Sequence, residues 1–170
     1  MELVLMVKGV LKMLCSSDPV GLVESKLQEL GYRGSILKSV ETIHTVQDAS
    51  RAVGVEEGRI LKSILLMDRG DLVLALMSGP NRLDLKRAAG LLGLKRLRMA
   101  TYDEVITLTP FKPGGVPPVG YQFPIRSVMD EDLFLYDVVW AAAGDDHSFF
   151  PVSPEDLKGY TGAVVGEIKK

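Results

Sequence analysis

The sequence predicts an α+β fold, a mixed and strongly curved, barrel-like β-sheet flanked by helices. Three observations carry that expectation. Two apolar runs joined by a short glycine turn read as a β-hairpin, Arg59–Met67 with Leu72–Met77 across Asp68-Arg69-Gly70-Asp71. Short strands and helices then intermix without the steady strand–helix alternation of a doubly wound fold. The chain has 170 residues, 46% hydrophobic and 25% charged, enough for one domain with a sizeable core and no reason for disorder.

Taken in chain order, residues 1–20 read as an N-terminal amphipathic extension and residues 21–170 as a single domain. Leu3, Val7, Val10, Leu11 and Leu14 fall at helical spacing. Lys8 and Lys12 interrupt that segment, which is far short of the roughly 20 residues a membrane-spanning helix needs. Gly21–Leu30 reads as a helix with Leu22, Val23, Leu27 and Leu30 on one face and Gly31 as its stop. Ser35–Val40 reads as a strand. Thr45 opens a short helix, with Asp48 completing a capping pair and Gly54 near the exit.

After the hairpin, Leu83–Leu92 reads as a helix, Leu97–Met99 as a short strand and Tyr102–Leu108 as a short helix. Pro110–Pro124 is a loop dense in glycine and proline. Ile125–Met129 and Tyr136–Ala142 read as further strands. Pro154–Tyr160 closes the chain as a helix, with Ser153 as its N-cap and Pro154 at the first position.

Composition narrows the chemistry. The single cysteine, Cys15, allows no intramolecular disulfide, and no Cys/His cluster has metal-ligand spacing. No metal and no cofactor are therefore expected, and the usage fits a reducing, cytoplasmic setting. Asparagine occurs once, at Asn81. The formal net charge of -2 argues against a protein that coats nucleic acid along its length. Yet Arg82, Lys86, Arg87, Lys95, Arg96 and Arg98 cluster against Asp84 alone, while Asp130 to Asp156 is acidic. Such a local basic patch suits a short polyanionic contact such as the end of an RNA; a solvated helix face is the other reading.

Two features carry the candidate chemistry. Lys62 lies in Ile60-Leu61-Lys62-Ser63-Ile64-Leu65-Leu66-Met67, apolar on both alternating faces and hence a central strand. A lysine desolvated there is costly without a partner, and binding or catalysis is a common reason to retain one. The alternative is a rim lysine whose stem covers apolar surface while its head stays in water. The second feature is Gly114-Gly115-Val116-Pro117-Pro118-Val119-Gly120. Its glycines permit close approach of main-chain groups to a ligand and its prolines fix the path; a rigid surface turn would look similar.

Together these segments resemble the YbaK/ProX family, the aminoacyl-tRNA synthetase-associated or prolyl-tRNA-editing domain. The resemblance runs in order through Gly54-Val55-Glu56-Glu57-Gly58-Arg59-Ile60-Leu61-Lys62-Ser63, Leu74-Ala75-Leu76, Arg82-Leu83-Asp84-Leu85-Lys86 and Arg98-Met99-Ala100. It continues through Gly114–Gly120 and Ala142-Ala143-Gly144 to Ser153-Pro154-Glu155-Asp156-Leu157. It implies a curved mixed sheet and hydrolysis of amino acids from mischarged tRNA, with Lys62 as the essential lysine. It also implies that the G-x-x-x-P loop, here Gly114–Pro118, holds the terminal adenosine. Substrate-binding residues are then Ser63, Gly114, Gly115, Val116, Pro117, Pro118 and Gly120. From their places in the chain, His147 in the loop after Tyr136–Ala142 and His44 just before the Thr45 cap are two further candidates to line the pocket, an ordinary loop histidine being the other reading of His147. Arg82, Lys86, Arg87 and Arg98 would contact the tRNA.

Expected partners are the acceptor end of a mischarged tRNA, an aminoacyl-tRNA synthetase and a second copy as a homodimer, but no membrane. Ser63 stands where alanine-specific members commonly have Asn and cysteine-directed members Thr, so the amino acid removed stays open. A non-catalytic tRNA- or synthetase-binding module of the same fold, and a hydrolase of another small activated acyl ester, are the competing functions.

Overall fold

The structure, a computed structural model, describes residues 18–170. The predicted N-terminal amphipathic segment and Cys15 lie outside the described residues. Helix α1 (Pro19–Glu29) starts two residues before the predicted position, because Asp18 caps it by accepting from the Val20 N–H at 3.2 Å and Pro19 fits its first turn. It buries Val23 and Leu27. Strand β1 is only Leu37–Lys38, where the sequence suggested Ser35–Val40.

Helix α2 (Val46–Val53) carries both halves of the predicted capping box between Thr45 and Asp48, and ends at Gly54 in the left-handed conformation. A 3-10 turn (Glu57–Arg59) leads into β2 (Leu61–Asp68), which pairs antiparallel with β3 (Asp71–Ser78) from Leu61–Ser78 to Asp68–Asp71. The turn between them has positive φ at both central residues, 50° at Arg69 and 98° at Gly70, the geometry that matches the twist of a two-residue hairpin.

Then follow α3 (Leu85–Leu91), β4 (Arg98–Met99), α4 (Tyr102–Leu108), β5 (Arg126–Asp130) and a second 3-10 turn (Glu131–Leu135). The chain continues through β6 (Val139–Ala142), β7 (Ser148–Val152), α5 (Pro154–Thr161) and β8 (Val164–Gly166). The five-stranded sheet has the order β4-β2-β3-β5-β8, with β3–β5 and β5–β8 parallel. A second, three-stranded sheet has the order β1-β7-β6.

The large sheet is buried on both faces. One face, with Leu61, Leu65, Leu74, Leu76 and Met129, packs toward α1, α5 and the small sheet. The other face, with Leu66, Val73, Ala75, Met77 and Val128, is covered by Ala88 and Ala89 of α3 together with Leu97 and Ile168. This double covering is what the two-sided apolar pattern of β2 requires. Each fully buried leucine contributes roughly 1.5–3 kcal/mol through desolvation.

The sheets correct the barrel-like expectation. Neither is closed or strongly curled. The large sheet ends in strands of two and three residues, too short to carry hydrogen bonding around a circle, and a single parallel bridge between Ile60 and Trp140 is the strand pairing between the two sheets among the described residues. The expected strand Tyr136–Ala142 is shorter because Glu131–Leu135 forms the 3-10 turn and β6 begins at Val139. Strand β7 carries Pro151, which argues against a strand on sequence grounds. Pro151 is tolerated because it lies beyond the two residues that β1 pairs, and its carbonyl accepts a hydrogen bond from the Tyr32 hydroxyl at 2.6 Å.

Candidate functional site

The site follows from an incomplete strand edge. Along β2, the side away from β3 is bridged at Ile60 by Trp140 and paired at Leu66 and Met67 by β4. The intervening residues from Leu61 to Ile64 have no strand partner on that side among the described residues. A cleft of about 300 Å³ opens there, walled by the start of α2, by Gly114 and Val116, and by Ala142 and Phe149 of the small sheet. Lys62 and Ser63 both line it, although their side chains leave opposite faces of β2, because the cleft runs along the edge rather than over one face.

Lys62 is half-buried and lies opposite Met77. Its ammonium donates to the main-chain carbonyl of Asn81, in the turn after β3, and no carboxylate among the described residues forms an ion pair with it. Burial, and then the charge of Arg82, pull its pKa below the usual lysine range. An ammonium has three N–H donors, so one bond to a carbonyl leaves donors and full charge for a bound anion. The Ser63 hydroxyl is buried and has no hydrogen-bond partner among the described residues. A hydroxyl left in that state is costly in a folded chain unless a ligand completes it.

The glycine–proline loop divides. Gly114 and Val116 reach the cleft. Gly115 is buried with its α-carbon against the main chain of Asp145, where a β-carbon would sit 2.7 Å from the Asp145 α-carbon; only glycine allows this approach. That contact fixes the loop to the turn between β6 and β7. Pro117, Pro118 and Gly120 are buried and do not line the cleft. The Pro117 carbonyl accepts from the Tyr121 hydroxyl at 2.9 Å, and Pro118 and Gly120 border a separate cavity beside Tyr121 and Tyr160.

The two histidines differ as well. His44 lines the cleft, its main-chain N–H donating to Asp48 at 3.1 Å. His147 is not in the cleft wall. Its Nδ1 lies 3.2 Å from the Glu41 carbonyl, and its Nε2 lies 3.4 Å from the Thr42 hydroxyl and 3.3 Å from Asp146. His147 thus ties the segment before α2 to the β6–β7 turn.

Of the basic residues, Arg82 lies close enough to depress the Lys62 pKa, and Lys86 is exposed on α3. Arg87 is paired with Glu167 at 2.8 Å and Asp84 at 3.7 Å. Arg98 makes a bidentate contact with Glu104 at 2.6 and 2.8 Å. It lies opposite Met67, five residues along β2 from Lys62 and so about 17 Å away. Arg98 thus stands apart from Lys62, with its guanidinium taken up by Glu104.

Sequence reasoning passed over Asn81 as a partner of Lys62, and with it Asp132, whose carboxylate accepts from the Asn81 side-chain amide at 2.8 Å. The available signal was local, a lone asparagine directly after Gly79-Pro80 at the end of the apolar hairpin. Among the described residues, no three His, Cys, Asp or Glu side chains gather as a metal site, and no helix is long and apolar enough to cross a membrane.

Comparison with known proteins adds a second line. A family model for the aminoacyl-tRNA editing domain matches residues 40–160. A crystal structure described as a candidate trans-editing enzyme for prolyl-tRNA synthetase superposes with a TM-score of 0.83 at 39% identity, covering 89% of this chain and 97% of that one. Enterococcus faecalis EbsC, provisionally named a Cys-tRNA(Pro)/Cys-tRNA(Cys) deacylase, is 25% identical over 125 residues, 73% of this chain and 76% of EbsC. The proline–tRNA ligase of Bordetella petrii is 32% identical over 131 residues, 71% of this chain but only 23% of the much longer ligase.

Proposed function

This chain belongs to the aminoacyl-tRNA editing domain family, and from that premise we propose that it hydrolyses the ester of mischarged tRNA in trans, in the cleft beside Lys62. The observation that carries the reading is that, among the described residues, a half-buried ammonium has no carboxylate to neutralise it and lies next to a buried hydroxyl without a partner on an unpaired strand edge.

The substrate is an activated ester, so the site needs to hold it, admit water and stabilise charge rather than supply a strong nucleophile. Water adds to the ester carbonyl, the bond to the ribose oxygen breaks, and that oxygen leaves with a proton as free amino acid is released. Lys62 binds the carbonyl or phosphate oxygens of the aminoacyl-adenosine end with its remaining N–H donors. Ser63 meets the amino-acid portion, where its hydroxyl gains the partner it lacks. Gly114 and Val116 border the terminal nucleoside, and His44 sits at the rim. Arg82 and Lys86 attract the acceptor arm. A second site of this kind corrects errors that a synthetase pocket admits, because one methylene is worth only about 1–3 kcal/mol there. The reaction belongs to the cytoplasm, where charged tRNA is used.

The test is a panel of mischarged tRNAs offered to the wild type and to Lys62→Ala. Rapid release of one or a few amino acids by the wild type and its loss in the variant is the expected result. Equal hydrolysis by the two proteins removes Lys62 from the site, and tRNA binding without turnover on any member assigns the chain to recognition instead.

A further inference from the structure

A lysine that must present its charge to a substrate needs a partner that aims it without cancelling that charge. A main-chain carbonyl does this and a carboxylate would not. Lys62 has the carbonyl of Asn81. The question is then what holds that carbonyl, since Asn81 sits in a turn whose own main-chain bond is a single Asn81 N–H to Ser78 carbonyl contact of 3.0 Å.

The grip comes from residues distant in sequence. The Asn81 amide donates to Asp132 at 2.8 Å, and the same Asp132 oxygen accepts from the Lys169 ammonium. Asp132 is ionised: the Lys169 hydrogen bond, and then that of Asn81, hold its carboxyl below the usual range. Its main-chain N–H donates at 2.9 Å to Asp130, which is fully buried and uses its other oxygen to accept from the Ile168 N–H at 3.0 Å. The segment carrying Lys169 is in turn tied to the far side of the same turn, through Lys170 N–H to the Arg82 carbonyl at 2.9 Å and Asp84 N–H to the Ile168 carbonyl at 2.7 Å. A carboxylate is suited to the junction because it accepts from two donors at once.

We propose that Asp132, braced by Lys169, is a positioning residue for Lys62, acting through the side chain and carbonyl of Asn81. This rests on the reading of Lys62 as the cation of the site. Asp132 touches no substrate; it fixes the direction in which the ammonium points.

The experiment compares the wild type with Asp132→Ala, Asp132→Asn, Lys169→Met and Lys62→Ala. It measures kcat and KM on the mischarged tRNA the wild type prefers, and the titration of the Lys62 side chain by NMR of isotopically labelled lysine, with no substrate present. Asp132→Ala is expected to lower kcat about tenfold with KM little changed, as for a misaimed group. Its Lys62 titration is expected to move further below that of an ordinary lysine, because the buried ammonium loses a firmly held acceptor. Asp132→Asn, which still offers an oxygen to Asn81, is expected to recover most of both, with Lys169→Met in between. A folded Asp132→Ala protein with unchanged Lys62 titration overturns the proposal, whatever happens to kcat. Should Asp132→Ala not fold, the Lys62 titration in Lys169→Met decides in its place, an unchanged curve overturning the proposal. If Lys62→Ala hydrolyses like the wild type, the reading of the site fails, and the titrations still decide whether Asp132 positions Lys62.

Discussion

The two ends of β2 hold basic residues in opposite conditions. At the far end, Arg98 is fully engaged by both oxygens of Glu104, and Glu104 also accepts from the Thr101 N–H at 2.8 Å to cap α4. At the near end, Lys62 meets only a carbonyl, Ser63 meets nothing, and Arg82 contributes charge without an ion pair among the described residues. The difference teaches that basic residues close in sequence need not share a task. A cation saturated by a carboxylate fastens an edge strand to its helix, whereas one left with donors to spare is available to a ligand.

Substitutions at both ends sharpen that contrast. Lys62→Ala should have the largest effect, a loss of roughly 10²–10³ in kcat/KM of the deacylation, as when one donor to a developing negative charge is removed, with the thermal midpoint nearly unchanged; an intact rate would break the comparison. Next come two changes of charge, one a reversal and one a neutralisation. Lys86→Glu should lower kcat/KM on tRNA several-fold and flatten its salt dependence, while Arg98→Gln should leave both near wild type and lower the thermal midpoint instead. Equal effects of the two on tRNA would mean that the basic stretch acts as one surface after all.

Ser63→Ala is smaller and opposite in sign for stability. Removing a buried hydroxyl that has no partner should be neutral or raise the melting temperature slightly, while changing the relative rates on different aminoacyl groups; a clear fall in stability would show that the hydroxyl is satisfied. The smallest effect concerns acid. The Arg98 and Thr101 contacts lower the Glu104 pKa from 4.5 to about 2. A lowered carboxylate pKa stabilises the fold above its unfolded value, and the contribution fades as pH falls from 4.5 through about 2. Glu104→Gln should therefore flatten the acid limb of a stability curve and leave the wild-type slope above pH 5.

What could be read in advance was what the chain decides locally. The hairpin turn, the Thr45–Asp48 capping box and the Ser153–Pro154 helix start depend on residues a few positions apart, and each lies where the sequence puts it. The family, too, was legible from an ordered set of short motifs, now matched over residues 40–160. The sheet was misjudged because closure depends on its edges: β4 lies where Leu97–Met99 was expected but is only two residues long, and β8 is too short to announce itself. Strand β7 was hidden by Pro151, whose fit depends on Tyr32, more than a hundred residues earlier. Within the candidate site, the division of the Gly114–Gly120 loop and the withdrawal of His147 depend on Asp145, Glu41 and Thr42, and no spacing in the sequence encodes those contacts.

The β2–β3 hairpin also sets an order of events. Its strands face each other across two residues, so the loop that must close is short and Lys62 and the turn bearing Asn81 can come together early. Pairing β3 with β5 joins Val73 to Arg126, and the clamp on Asn81 waits for Asp132 and Lys169, which must be gathered over much longer loops. Loop length therefore predicts that the hairpin carrying the ammonium forms before the clamp that aims it. Substitutions at Gly70 should slow folding, whereas those at Asp132 or Lys169 should mainly speed unfolding.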